Sequence, residues 1–226
     1  MRRCLLAALL LALIALGPPA RAQSADDWVL QREDAQTQTR VWLANRPGVA
    51  SAFRATTVVD ASLSALTAVL LDSERMPDWV YRVRETQRVR SDGPTRGVSL
   101  VVTSMPFPLL DRDAVVAWSL TQHPQTLVVT LAGRQADGLV PPHPERIRMP
   151  LFESRWVFSP RADGRVDVLF EGAGDPGGNL ALPVLREIVG SLSWQAPWQT
   201  ILALREIVRE PGYAQARLPF IREPAR

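Results

Sequence analysis

RGVSLVVTSMPFPLLDRDAVVAWSLT, residues 96–121, reads as two strands joined by an unusual corner. Val98 to Met105 and Ala114 to Thr121 are rich in β-branched residues, which favour a pleated, half-buried surface. Pro106 and Pro108 between them have no N–H to give to a sheet ladder, so the corner lies outside regular pairing. Arg112 and Asp113 close it. Two charges at the mouth of an apolar hairpin either pair with each other or tie down loop backbone groups, and a structural use is expected ahead of ligand contact.

Strand character continues on both sides of this hairpin. Upstream it covers Trp28 to Leu30, Thr39 to Leu43 and Phe53 to Val59, the last after the turn signal Asn45-Arg46-Pro47-Gly48. At Asp60 the period changes: Asp60 or Ser62 caps a helix whose Leu63, Leu66, Val69 and Leu70 share one face, and Pro77 stops it. Val83 to Arg90 returns to alternation as a polar strand, at an edge or facing water. Downstream, Thr126 to Leu131, Ser154 to Phe158 and Arg165 to Glu171 are strands, the last two joined by a turn over Pro160 to Gly164. Between them, Gln135 to Pro150 holds four prolines and one glycine and reads as a loop or lid.

Seven to nine antiparallel strands result, and the chain then changes character. Leu182 to Val208 carries apolar residues near helical spacing, with Pro197 in the middle. Either the helix kinks there or two helices abut, because an interior proline loses one bond and clashes with the preceding turn. Strands, one helix pair, a long antiparallel run and a terminal helix make an α+β chain. Its last helix needs an apolar surface, and the concave face of the sheet supplies it.

Three motifs in this order resemble the START (steroidogenic acute regulatory-related lipid transfer) domain family. The corner Pro108 to Asp113 matches its P-x-x-x-R-D pattern. Asp175-Pro176-Gly177-Gly178, with Pro183 five residues on, resembles the turn leading into its C-terminal helix. Trp79 behind Leu70-Leu71-Asp72 matches its L-x-D-x-x-x-x-x-x-W pattern. The resemblance runs from about Trp28 to Arg209. It implies a helix-grip (START/Bet v 1-like) fold, in which a curved antiparallel sheet grips a long C-terminal helix around a ligand cavity.

The same resemblance indicates which side chains face that cavity. Cholesterol-carrying members have a cavity-facing arginine six residues beyond the R of R-D, and Trp118 stands there in this chain. The polar anchor for a sterol held in that manner is missing. If Trp118 points inward, Ala114, Val116 and Leu120 do too, and the partner strand contributes Ser99, Val101, Thr103 and Met105 unless a bulge at the corner flips that set. Trp156 and Phe170 fall on the interior parity of their strands, and Trp79 joins them. The last helix is expected to add Leu185, Ile188, Val189 and Leu192. All of these would serve equally well as solid core.

Arg2 and Arg3, the apolar run Leu5 to Leu16 and the pattern Ala20-Arg21-Ala22 read as a secretory signal peptide over residues 1–22. The run is about 12 residues long, where roughly 20 are needed to span a membrane. A periplasmic or secreted protein is therefore expected, with residues 23–226 as one START-like lipid-binding domain. Cys4 falls in the leader, so the mature chain has no cysteine and folds without disulfides. All 26 basic residues are arginine; removing the three in the leader leaves 23 against 23 acids, and the apparent basicity vanishes. That balance argues against a nucleic-acid partner.

The catalytic inventory is thin. His123 and His143, the two histidines, each precede a proline in a loop-like context, and zinc has no ligand cluster at a recognised spacing. No G-x-S-x-G occurs, and the glycines at 172, 174, 177 and 178 read as turn formers. Helix-grip relatives that act as cyclases use acids and arginines in the cavity. Pairing Phe158 with Val166 would set Glu153 opposite Glu171, with Arg155 diagonal, although an exterior ion cluster is the favoured reading. The expected function is non-catalytic binding, and carriage, of one hydrophobic ligand, a lipid or sterol-like molecule. Its alternatives are a cyclase or hydrolase-type enzyme and an interaction module with a closed core. No cofactor is expected, membrane contact through Leu109-Leu110, Trp194 and Trp198 would be transient, and a monomer is expected.

Overall fold

The computed structural model describes residues 28–46 and 49–225; the expected leader lies outside them. The strands are β1 (Val29–Asp34), β2 (Thr39–Ala44), β3 (Ser51–Val59), β4 (Val83–Ser91), β5 (Arg96–Thr103), β6 (Asp111–Gln122), β7 (Val129–Gln135), β8 (Arg146–Arg148), β9 (Leu151–Pro160) and β10 (Val166–Asp175). They form one sheet in the order β1-β2-β3-β10-β9-β7-β6-β5-β4. The tenth strand, β8, pairs with β6 in parallel and lies in the stretch expected to be loop. Three residues, R-I-R, carry no readable alternation, which is why the sequence points to nine strands at most.

The helices are α1 (Leu63–Leu71), a 3-10 turn (Ser73–Arg75), α2 (Met76–Trp79), α3 (Pro183–Ile207) and α4 (Pro211–Ala214). Ser62 caps α1, its hydroxyl accepting from the Ala65 N–H at 3.1 Å. The carboxylate of Glu223, far along the chain, accepts from the Leu63 and Ser64 N–H groups at 3.0 and 2.7 Å. A negative charge there also suits the positive end of the helix. The C-terminal tail thereby folds back over α1, with Ile221 in the core and Arg222 exchanging hydrogen bonds with Gln122 at the end of β6.

The main core lies between the concave face of the sheet, α1 and the second half of α3, around Phe158, Val168, Leu66 and Ile201. Arg205 fastens α3 to the sheet by donating to the Thr57 hydroxyl at 2.9 Å and to the Val58 carbonyl. A smaller cluster of Val98, Leu100, Val102 and Val115 occupies the opposite face, covered by Ala136 and Val140. The proline-rich segment is thus a cover on the outer face of the sheet and not a lid over its concave side. Pro197 sits inside α3, which runs on as a single helix.

Arg112 and Asp113 do not pair with each other. As consecutive residues of one strand they project to opposite faces. Arg112 donates to the carbonyls of Leu110, Pro176 and Gly177, joining the corner to the Asp175–Gly178 turn ahead of α3. Burial pulls its pKa below the usual value, with Asp111 opposing. Asp113 instead meets Arg148 of β8 at 2.6 Å, and Arg148 also binds the Val140 and Pro141 carbonyls of the proline-rich segment.

Candidate ligand cavity

The β5–β6 ladder keeps one register, Gly97 with Trp118, Ser99 with Val116, Val101 with Ala114 and Thr103 with Arg112. No bulge intervenes, so Ser99, Val101 and Thr103 share a face with Val116 and Trp118. Gly97 makes room for the indole: a Cβ there would lie 2.7 Å from a Trp118 ring carbon. Trp118 Nε1 donates to the Ser99 hydroxyl at 3.3 Å.

Across the sheet, Trp156 stacks on Phe170 with centroids 3.8 Å apart and planes 7° from parallel. Trp79 tilts against Trp156 at 6.1 Å, and Phe53 meets Phe170 edge-on at 4.8 Å. Such pairs add about 1 kcal/mol each beyond the area they bury. These rings do not meet the Trp118 side to fill the interior. They enclose a hollow of about 250 Å³.

Eight of the expected residues line it: Trp79, Ser99, Val101, Thr103, Val116, Trp118, Trp156 and Phe170. Six do not. Met105 lies past the end of β5, its N–H donating to Asp111 at 3.0 Å, and Leu120 is packed in the solid core. Leu185, Ile188, Val189 and Leu192 lie on the first half of α3, which is only half-buried; full burial begins at Pro197. The helix contributes Ala196, Pro197 and Thr200 to the lining instead. The physical reason is volume: where α3 presents large side chains to the sheet, as at Ile201 and Leu204, they fill the space, and a hollow persists where its side chains are short.

Sequence reading also misses the wall made by the end of α1 and the segment after it, with Leu71, Ser73, Met76 and Tyr81. The motif in that stretch marks Leu70, Asp72 and Trp79 and none of these four. The indole N–H of Trp79 is buried without a hydrogen-bond partner among the described residues, while the Thr200 hydroxyl accepts from the Tyr81 N–H at 3.1 Å.

A START domain family model matches residues 20–195. The chain belongs to the START domain family. An uncharacterized protein of Pseudomonas aeruginosa is 23% identical over 183 residues, covering 80% of this chain and 86% of that one. Among solved structures, the STAR-related lipid transfer protein of Xanthomonas axonopodis superposes with a TM-score of 0.71 at 22% identity, covering 82% of this chain and all of that fragment. Human STARD10 gives 0.69 at 17% identity, covering 83% and 76%. At these identities the two structures share the fold, a curved sheet around a long C-terminal helix.

In this START domain the hairpin of β9 and β10 is two residues out of the expected register. Phe158 faces Val168, Glu171 faces Arg155, and Glu153 faces Ala173 and Arg134. A tighter turn, closed by the Arg161 N–H on the Arg165 carbonyl at 2.8 Å, pairs Pro160 with Val166 and sets that register. No Glu153–Glu171 pair forms. Glu171 stands on the outer face between Arg54, at 2.7 Å, and Arg155. Among the described residues no group of three His, Cys, Asp or Glu is placed to hold a metal ion.

Partial burial of the Glu171 carboxyl works against its charge, but hydrogen bonds from Arg155 and Arg54 outweigh that and hold its pKa below the usual carboxylate range. A depressed carboxyl pKa stabilises the fold above the unfolded pKa, and the contribution is lost as pH falls through the folded one. Glu171→Gln is expected to cost about 1 kcal/mol at neutral pH. Urea titrations from pH 7 to pH 2 should show wild type and variant converging at the acid end; a constant gap across that range would contradict the assignment.

Proposed function

We propose that this START domain binds and carries one hydrophobic ligand, a lipid or sterol-like molecule, inside its cavity without turning it over, as an exported monomer. The observation that carries the reading is the hollow itself, walled by Trp79, Trp118, Trp156 and Phe170. Each ~100 Å² of ligand surface buried there contributes about 2.5 kcal/mol. The non-catalytic reading is supported by Glu171 and Arg155, which point away from the cavity and satisfy each other.

Transient membrane contact belongs to the same reading. Phe107 and Leu110 in the corner, and Leu182 and Val184 at the start of α3, are exposed apolar side chains. Arg112 ties the corner to the turn before α3, so the two segments form one edge. Trp198 takes no part, being buried with the Arg32 guanidinium 4.5 Å from its ring.

Native mass spectrometry of protein purified from its own cells tests the proposal. The expected spectrum shows an added lipid mass that disappears on unfolding. A spectrum of bare protein that also takes up no lipid from added vesicles would refute it.

A further inference from the structure

Two charged residues line the otherwise largely apolar cavity, Glu153 and Arg88; Glu153 shares the outer parity of β9 with Arg155, whereas Arg88 stands at one end. Arg88 faces Ser99 across the β4–β5 ladder, which places it on the concave side with the other lining residues. Among the described residues its guanidinium approaches the Leu71 carbonyl and the Ser73 hydroxyl, both at the long distance of 3.5 Å. No carboxylate pairs with it among the described residues, whereas most of the arginines on the surrounding surface are in ion pairs. A guanidinium holds five N–H donors in a planar fork that suits a two-oxygen anion.

Two hydroxyls stand beside it. Ser73 is largely buried, and Ser99 already accepts from Trp118 Nε1, which leaves its own proton to donate. Size supplies the second constraint. A hollow of about 250 Å³ lies just below the ~300–1,000 Å³ of sites that take drug-sized ligands. That leaves room for one chain of medium length and not for the two long chains of a membrane lipid.

Resting on the reading of this hollow as a ligand site, we infer that its ligand is a single-chain anionic amphiphile. Its carboxylate-like head sits on Arg88 with the Ser73 and Ser99 hydroxyls, and its chain lies against Trp118, Trp156 and Phe170. The Arg88 side chain is exposed at the sheet edge, so the head lies at the mouth and the chain enters first. Burying the chain while leaving the charge at the surface avoids the cost of desolvating an anion.

Titration of the full chain by isothermal calorimetry with decanoate, decanol and vesicles of dioleoylphosphatidylcholine tests this. Decanoate should bind at least tenfold more tightly than decanol, and the vesicles should give up no lipid. Arg88→Met should weaken decanoate far more than decanol and so remove the preference, and Arg88→Lys should restore part of it. Near-UV circular dichroism of both variants should match that of wild type. Equal binding of decanoate and decanol, or an Arg88→Met variant that loses stability and keeps the preference, would overturn the anionic head and leave the cavity reading standing. Extraction of phosphatidylcholine without binding of decanoate would overturn the single chain. Binding of none of the three would overturn the head, the chain and the ligand site together.

Discussion

Replacing Arg112 by methionine should lower stability by about 3 kcal/mol, read as a fall in the urea midpoint at unchanged slope. The side chain is only 2% exposed, and its fork donates to three carbonyls, those of Leu110, Pro176 and Gly177. Methionine fills similar space but donates nothing, so three carbonyls, of exposed Leu110 and half-buried Pro176 and Gly177, lose their partner at up to about 1–3 kcal/mol each, part of which water recovers. Two of these carbonyls belong to the turn that aims α3, where Gly178 already packs so closely that a Cβ would lie 2.8 Å from Ile147. Arg112→Lys should restore less than half of the loss, because an ammonium cannot span three acceptors in one plane. A methionine variant as stable as wild type would show that the corner and the turn hold together by packing alone.

Trp156→Ala is the second large effect, at about 3–4 kcal/mol. The indole is 7% exposed and stands between Phe170, Trp79 and Phe158. Its removal abolishes three aromatic contacts at once and merges the space it held with the existing hollow. The neighbouring rings cannot close the gap, since each is anchored on a separate element. Denaturant unfolding measures the cost, and the same variant should bind decanoate at least tenfold more weakly. A loss under 1 kcal/mol would mean that the aromatic wall repacks freely and that the hollow has no defined shape.

Much of the fold could be read from local pattern. The residue 96–121 hairpin, the helix after Ser62 and the terminal helix each announce themselves by period and capping chemistry, and three motifs link them in one order. Cavity residues on the β5–β6 hairpin were legible for the same reason: once Trp118 is placed inward, the two-residue period settles its neighbours. Legibility failed where a side chain's role depends on how far two elements stand apart. Periodicity marks Leu185 to Leu192 as an apolar face but not that this half of α3 is only half-buried, and it gives no warning that Ala196 and Thr200 leave the space. The β9–β10 register slipped by two residues because both pairings keep the same faces, so hydrophobic pattern alone cannot choose between them.

Sequence by itself yielded the α+β class and a family resemblance, took the inward side of Trp118 from that resemblance, and left Arg112 either to pair with Asp113 or to tie down backbone. Tertiary structure decided that a hollow exists, that its helix wall is Ala196, Pro197 and Thr200, and that Arg88 is among its lining residues. The division is physical. Period and turn chemistry act between residues near one another in the chain, whereas empty space is what remains when distant side chains fall short of meeting.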